Sequence, residues 1–247
     1  MRGVRLLFAL AILVLAGLRP AGAQAPLIAD LDDHLIAITT GFAGADVLLF
    51  GTTDGPGDVI VVVEGPVGEV DVRRKERVGG IWINRKTLGF QNVPAVYMLA
   101  ASKPLDQLLP ADQRAYYQMG IENIRLVPVD PRDSDLKTFT SALVRAKQQR
   151  GLFFDQPARI LFISDRLFRV NLRVPSTVPT GTYLAKVFLV REQKVVGAFT
   201  TPLVISKIGF GADIYDFAHR HSAAYGVIAI LVALFAGWMA HLAFRRR

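Results

Sequence analysis

Six basic residues fall within fourteen positions from Arg73 to Lys86: Val72-Arg-Arg-Lys-Glu-Arg77, then Gly79-Gly80-Ile-Trp-Ile-Asn84-Arg85-Lys86. Guanidinium and ammonium groups at this density, beside a flexible glycine pair, suit an anion such as a sulfate-like ion, a carboxylate or a lipid headgroup. Arg73, Arg74, Lys75, Arg77 and Trp82 are therefore the candidate ligand-binding residues. The competing reading is a solvated edge strand and turn, because Lys and Arg on an edge discourage strand pairing. A core position for Trp82 would hold the basic cluster on a rigid strand.

Two further groups carry chemistry by type. Asp30, Asp32, Asp33 and His34 are paired acids of the kind that hold calcium or act as acid and base. They lack ligand-loop spacing, and a polar lead into the first strand explains them equally. His219 and His221, with Asp213 and Asp216 upstream, share a face only in an extended strand, whereas a helix splays them. As polar residues at the mouth of a membrane segment they need no metal. His241, one turn from the final arginines, reads as an interfacial anchor. No G-x-S-x-G, H-E-x-x-H or phosphate-loop motif occurs, so no catalytic residue, metal or cofactor is assigned.

The elements that must position these groups are strand-rich. From Leu27 to Ser102, short runs such as Leu35–Thr39, Val47–Phe50, Val59–Val63, Ile81–Ile83 and Val96–Leu99 are separated by Gly- and Pro-rich turns. That spacing predicts an antiparallel sandwich or barrel. The period then changes. Leu136, Phe139, Leu143 and Ala146 predict a helix opened by Asp133-Ser-Asp135 and closed by Lys147, Arg150 and Gly151. A second, weaker helix is predicted from about Pro110 to Met119, so residues 104–152 read as a helical insertion. Strands resume with Phe168, Val170, Leu172 and Val174 alternating against Arg169, Asn171 and Arg173. Tyr183–Val190 and Val195–Ile205 predict a hairpin turning at Glu192 and Gln193. Val178-Pro-Thr-Gly-Thr-Tyr183-Leu-Ala185 resembles the tyrosine corner of immunoglobulin-like sandwiches, with Ala185 in the cysteine position and Trp82 as candidate core tryptophan.

Both ends are apolar. Met1 to Ala23 carries a basic head, a 13-residue apolar stretch and a small-x-small site, the parts of a signal peptide cleaved after Ala23. Ala223–Phe244 is 22 residues without formal charge, with Tyr225 and Trp238 near its ends and Arg245-Arg-Arg247 after it. This predicts a membrane-spanning helix with a cytoplasmic tail at 245–247, a periplasmic body at 24–206 and a juxtamembrane link at 207–222. Ala229, Ala233 and Gly237 recur every fourth residue, a stripe that admits a second helix at close range, from another copy of the chain or from a different membrane protein; alanine-rich composition produces the same spacing by chance.

The 247-residue chain has no cysteine, which excludes disulfides, thiolate metal sites and a cysteine nucleophile. Its 29 basic and 21 acidic residues give a net charge of +8. Arg2, Arg5, Arg19 and Arg245 to Arg247 belong to the terminal signals, and without them 23 basic residues face 21 acidic ones. The body is nearly neutral, which removes the main support for nucleic-acid binding.

Taken in order, Ala29-Asp-Leu31 with Asp33-His-Leu-Ile-Ala-Ile-Thr-Thr-Gly-Phe42, Leu48-Leu-Phe-Gly51, the Val72–Arg77 and Ile81–Asn84 segments and the final helix resemble a family of alphaproteobacterial transmembrane proteins without assigned function. The resemblance covers essentially the whole chain and implies a Gram-negative inner-membrane location. Members are associated with neighbours resembling sulfite-exporter-type permeases, which implies a permease partner. The resulting expectation is a mainly β, immunoglobulin-like antiparallel sandwich with a helical insertion and one C-terminal transmembrane helix. Its expected role is that of a non-enzymatic tethered accessory or binding module. An anion sensor using Arg73, Arg74, Lys75 and Arg77, or a periplasmic enzyme using the N-terminal acids and His34, are the alternatives.

Overall fold

The computed structural model describes residues 25–245; the predicted signal peptide and Arg246-Arg247 lie outside them. The chain is mostly β. One sheet takes the order β1 (Leu27–Leu31), β3 (Gly44–Thr53), β11 (Leu167–Pro175), β10 (Leu161–Phe162), with every pairing antiparallel. The second takes the order β2 (Leu35–Ile38), β13 (Lys194–Lys207), β12 (Gly181–Arg191), β4 (Asp58–Glu64), β7 (Tyr97–Ala101), β9 (Ala158–Arg159). Its four inner strands are antiparallel, while the edge pairs β2–β13 and β7–β9 are parallel. β5 (Val67–Val78), β6 (Ile81–Pro94) and the two-residue β8 (Val127–Pro128) form a third sheet.

Residue period decides which face each strand buries. Val59 to Val63 are all buried. Val59, Val61 and Val63 enter a core shared with Leu49, Phe168, Val170 and Tyr183, which fills the space between the first two sheets. Ile60 and Val62 point the other way, into a second core with Tyr97, Leu99, Phe188 and, from the segment between β7 and β9, Leu108, Met119 and Phe139. A sheet apolar on both faces must be covered on both. The second sheet is thus the middle of three layers, and the helices are its outer cover.

Those helices lie between β7 and β9, as the change of period predicts. α1 (Leu105–Leu108), α2 (Ala111–Tyr116) and a 3-10 turn (Ile121–Asn123) precede α3 (Leu136–Gln149). α3 buries Phe139 and Leu143 and stops at Gly151, whose φ is +66°. The Leu152 N–H donates to the Lys147 carbonyl and the Gly151 N–H to that of Gln148, so a Schellman motif ends the helix.

The tyrosine corner is present. Gly181 (φ +146°) opens β12, and the buried Tyr183 hydroxyl donates to the Pro179 carbonyl at 2.7 Å. Burial pushes the Tyr183 phenol up to about 12. A β-carbon at Gly181 would lie 2.7 Å from the Pro66 ring, so the corner also requires glycine sterically. The expected hairpin turns at Glu192 and Gln193 (φ +49° and +58°), both left-handed as a two-residue type I′ loop demands. Beyond β13, the link at 207–222 contains a helix, α4 (Phe210–Arg220), before α5 (Ser222–Phe244). α5 is a 23-residue helix of mean hydropathy 2.3, long and apolar enough to cross a bilayer.

Candidate functional site

The basic residues lie on a ribbon that prolongs the middle sheet. After β4 and β7 part from the sheet, their ladder continues: the Gly65 N–H donates to the Val96 carbonyl at 2.9 Å and the Ala95 N–H to that of Pro66 at 2.8 Å. β5 and β6 carry the pairing out to Val78 opposite Ile81. Gly79 and Gly80, at φ +59° and +88°, close it as a two-residue turn. Glu64, Leu184 and Pro202 sit side by side across β4, β12 and β13. Both β4 and β13 are antiparallel to β12, so the ribbon leaves the sheet at the end where β13 runs on to Lys207 and the membrane helix.

The root half of the ribbon is packed. Leu88, Phe90 and Val93 are buried in the second core, with Val70 and Val72 against it. Midway, Lys86 Nζ meets Asp133 Oδ1 at 2.6 Å and Asp135 Oδ2 at 2.9 Å, just before α3. Arg74 Nη1 lies 3.3 Å from the same Asp135. The Arg74 guanidinium and Lys86 ammonium stand 5.8 and 5.7 Å from the Phe139 ring centre. Hydrogen bonding from Lys86 holds both aspartates below the usual carboxylate range, and the same bonds raise Lys86. The acids do stand at the opening of α3, Asp135 as its N-cap residue, but the Asp135 side chain makes no cap bond and both carboxylates clamp the ribbon to the helix. Arg74 Nε is 3.3 Å from Glu76 Oε1 but without hydrogen-bond geometry.

The outer half is different. Strand alternation puts Arg74 and Glu76 on one face and Arg73, Lys75 and Arg77 on the other. The sequence cluster is therefore not one convergent site. On the outward face Lys75 lies opposite Asn84, and Arg77 opposite Trp82. Arg73 has Asp71 at 3.8 Å, and Arg77 Nε donates to the Gly80 carbonyl at 3.3 Å. Neither Lys75 nor Arg77 has an acidic partner among the described residues.

Trp82 is not a core residue. It is 67 % exposed, as is Ile81, and with Val78 and Ile83 it crowns the ribbon in apolar surface. The expectation failed because Ile81-Trp-Ile83 has the composition of a buried strand but no element covers it. The exposed apolar crown is the surface feature that residue counting missed; a Gly-Gly turn flanked by Val78 and Ile81-Trp82-Ile83 was its only sequence signal.

The remaining candidates do local work. Asp32 Oδ1 accepts the N–H groups of Leu48 and Asp33 at 2.8 and 2.9 Å, and Asp30 Oδ1 accepts that of Leu31 at 2.9 Å. His34 Nε2 is 3.0 Å from Asp30 Oδ1, with both side chains half exposed. His219 Nδ1 lies 2.8 Å from the Tyr215 carbonyl on α4, while His221 falls between α4 and α5 and stacks near Phe217. The Asp213 and Asp216 side chains lie outside the described residues. Among the described residues no cluster of three or more His, Asp or Glu side chains has metal-binding geometry. Ala229, Ala233 and Gly237 follow one stripe of α5, and nothing packs within 4 Å of a β-carbon built at Gly237. An open cavity of about 340 Å³ between α2 and β7 is lined by Arg114 but also by Asp106, Glu122 and Asp155. Its acidic excess makes it a poor anion site. Above it Tyr97, buried and raised by desolvation, donates its hydroxyl to the Gln118 carbonyl and accepts the Gly120 N–H, both at 2.8 Å.

Among the described residues a β-rich body is joined to one helix, at the C-terminus, that is long and apolar enough to cross a bilayer, which is the class of a membrane-associated β protein. The family described as "Putative transmembrane protein (Alph_Pro_TM)" matches residues 26–246, and the chain belongs to it. No curated protein and no solved structure matches.

Proposed function

We propose that the protein is a non-enzymatic, membrane-tethered accessory module that holds its β-sandwich outside the inner membrane and partners with an integral membrane protein. Residues 1–23 act as the export signal, the body is periplasmic and the arginine tail is cytoplasmic, in keeping with the positive-inside rule. The observation that carries this reading is the small-residue stripe Ala229, Ala233, Gly237 on a helix of spanning length that buries none of its residues against the described chain. Such stripes allow helices to approach closely and pack by dispersion. The resemblance makes a sulfite-exporter-like permease the first partner to test. Cross-linking in membranes followed by pull-down is the experiment, comparing the native chain with Ala233→Leu and Gly237→Leu. An adduct that the leucines abolish supports the proposal; a lone, unchanged monomer in all three defeats it.

A second reading is an anion sensor. The row Arg73, Lys75, Arg77 on one ribbon face, with an acid near Arg73 alone, favours it. Charge reversal at these positions and at Arg74 is then expected to abolish binding of sulfite or a like anion, measured calorimetrically.

A further inference from the structure

We infer that the tip of the β5–β6 ribbon is a second membrane contact: Val78, Ile81, Trp82 and Ile83 enter the interfacial zone of a bilayer, and Arg73, Lys75 and Arg77 rest on anionic headgroups. This is independent of any protein partner for α5.

Reach comes first. From the Glu64–Leu184–Pro202 row the ribbon runs fourteen residues to Val78, ~46 Å at ~3.3 Å per residue. The tether leaves the same row. Leu203 to Lys207 of β13 cover ~17 Å, Ile208 and Gly209 extended ~7 Å, and α4 with His221 about 20 Å. The tether at full stretch, ~44 Å, is no longer than the ribbon, so the ribbon can reach the bilayer wherever the sandwich stands.

The chemistry of the tip fits that surface. Tryptophan prefers the membrane–water interface, where its ring is apolar and its N–H stays wet. Backbone polar groups are costly in the hydrocarbon core; here the ladder pairs the facing edges of β5 and β6 out to Val78 opposite Ile81, and the unpaired outer edges and the two-residue turn are met by water and headgroups at interfacial depth. Arg77 covers one of those carbonyls, that of Gly80. Behind the apolar crown come cations on one face, the order of groups met on entering an anionic leaflet. Each basic side chain held at such a surface is worth roughly fivefold in partitioning, so the three together contribute about a hundredfold. Rigidity follows from the clamp of Lys86 on Asp133 and Asp135, which fixes the ribbon before it reaches lipid.

The chain has two tryptophans, so Trp238→Phe leaves Trp82 as sole reporter in the full-length protein. It is placed in nanodiscs of phosphatidylcholine containing roughly one-third phosphatidylglycerol, with and without acyl-brominated lipid. The expected result is blue-shifted emission that bromine quenches and iodide does not. Arg73→Glu, Lys75→Glu and Arg77→Glu together are expected to reduce the bromine quenching at least tenfold. High salt on the native ribbon is expected to act in the same direction and reads the charge contribution even where the triple variant fails to fold. Emission at solvent wavelength with full iodide access overturns the inference. Equal quenching in discs of phosphatidylcholine alone overturns its electrostatic half. Shielding of Trp82 only after membrane-protein extract is added assigns the tip to a protein and also overturns it.

Discussion

Two long hairpins of similar size have opposite fates. β12–β13 and β5–β6 each turn through two residues at positive φ and each run more than ten residues a side. In β12 the residues just before the turn, Val187 to Val190, are all buried. At the same place in β5–β6 stand Arg77, Val78, Ile81 and Trp82, all exposed. Apolar content near the turn does not separate them. What separates them is whether other layers cover both faces: β12 has a sheet on one side and helices on the other, whereas the outer ribbon has neither.

The contrast breaks most sharply in the core. Phe168→Ala, at a fully buried ring between the sheets, is expected to cost about 3–5 kcal/mol, seen as a lower urea midpoint. Tyr97→Phe leaves the buried Gly120 N–H without its acceptor and is expected to cost about 1–3 kcal/mol in the same assay. The two turns can be exchanged. Glu192 and Gln193 bear side chains at left-handed φ, so Glu192→Asn with Gln193→Gly is expected to stabilise the body by about 1 kcal/mol. Ala in place of Gly79 and Gly80 is expected to speed amide exchange at the ribbon tip without moving the global transition.

Acid sharpens the boundary between root and tip. The Asp133 and Asp135 pKa values are depressed in the fold, so their stabilisation is complete above the unfolded carboxylate pKa and fades as pH falls through the folded values. Hydrogen exchange along β5–β6 is expected to rise below about pH 4 while the β12–β13 amides stay protected. Lys86→Met is expected to weaken that pH dependence, leaving the part that Arg74 and the Asp135 N–H supply. The smallest effect is expected at Trp82→Ser, within about 0.5 kcal/mol of the native stability, because its ring packs on no core.

Much of the architecture was legible from residue period and turn chemistry. Alternation in Phe168 to Val174, the Val59–Val63 run, the α3 spacing and the Glu192–Gln193 turn each predict the observed element. The tyrosine corner was readable because it is local, spanning Pro179 to Tyr183. β1 was not, since Asp30 interrupts a short strand and the acids beside it read as loop. The ribbon was read in part: a solvated strand and turn around Gly79-Gly80 and a strand at Ile81–Ile83 are both observed, but their extension into one long hairpin was not, for the outer faces mix polar and apolar residues in no single pattern. The candidate site was half legible. The basic residues were named from the sequence, but their division between two faces follows only once Val67–Val78 is known to be one continuous strand, and the residues opposite them depend on a register shift that leaves Arg85 unpaired. The clamp from Lys86 to Asp133 and Asp135 joins residues some fifty positions apart and left no mark in either segment.

β13 releases the chain toward α5 while lying between β12, antiparallel, and β2, parallel. A pull on the anchor along that direction loads the hydrogen bonds of both neighbours in shear, all together, instead of peeling them singly. The short β2, whose Ile38 carbonyl accepts the Ile208 N–H, is thereby a mechanical clip: it locks the last residues before the tether and lets the body ride on its membrane helix without unravelling from its own C-terminal strand.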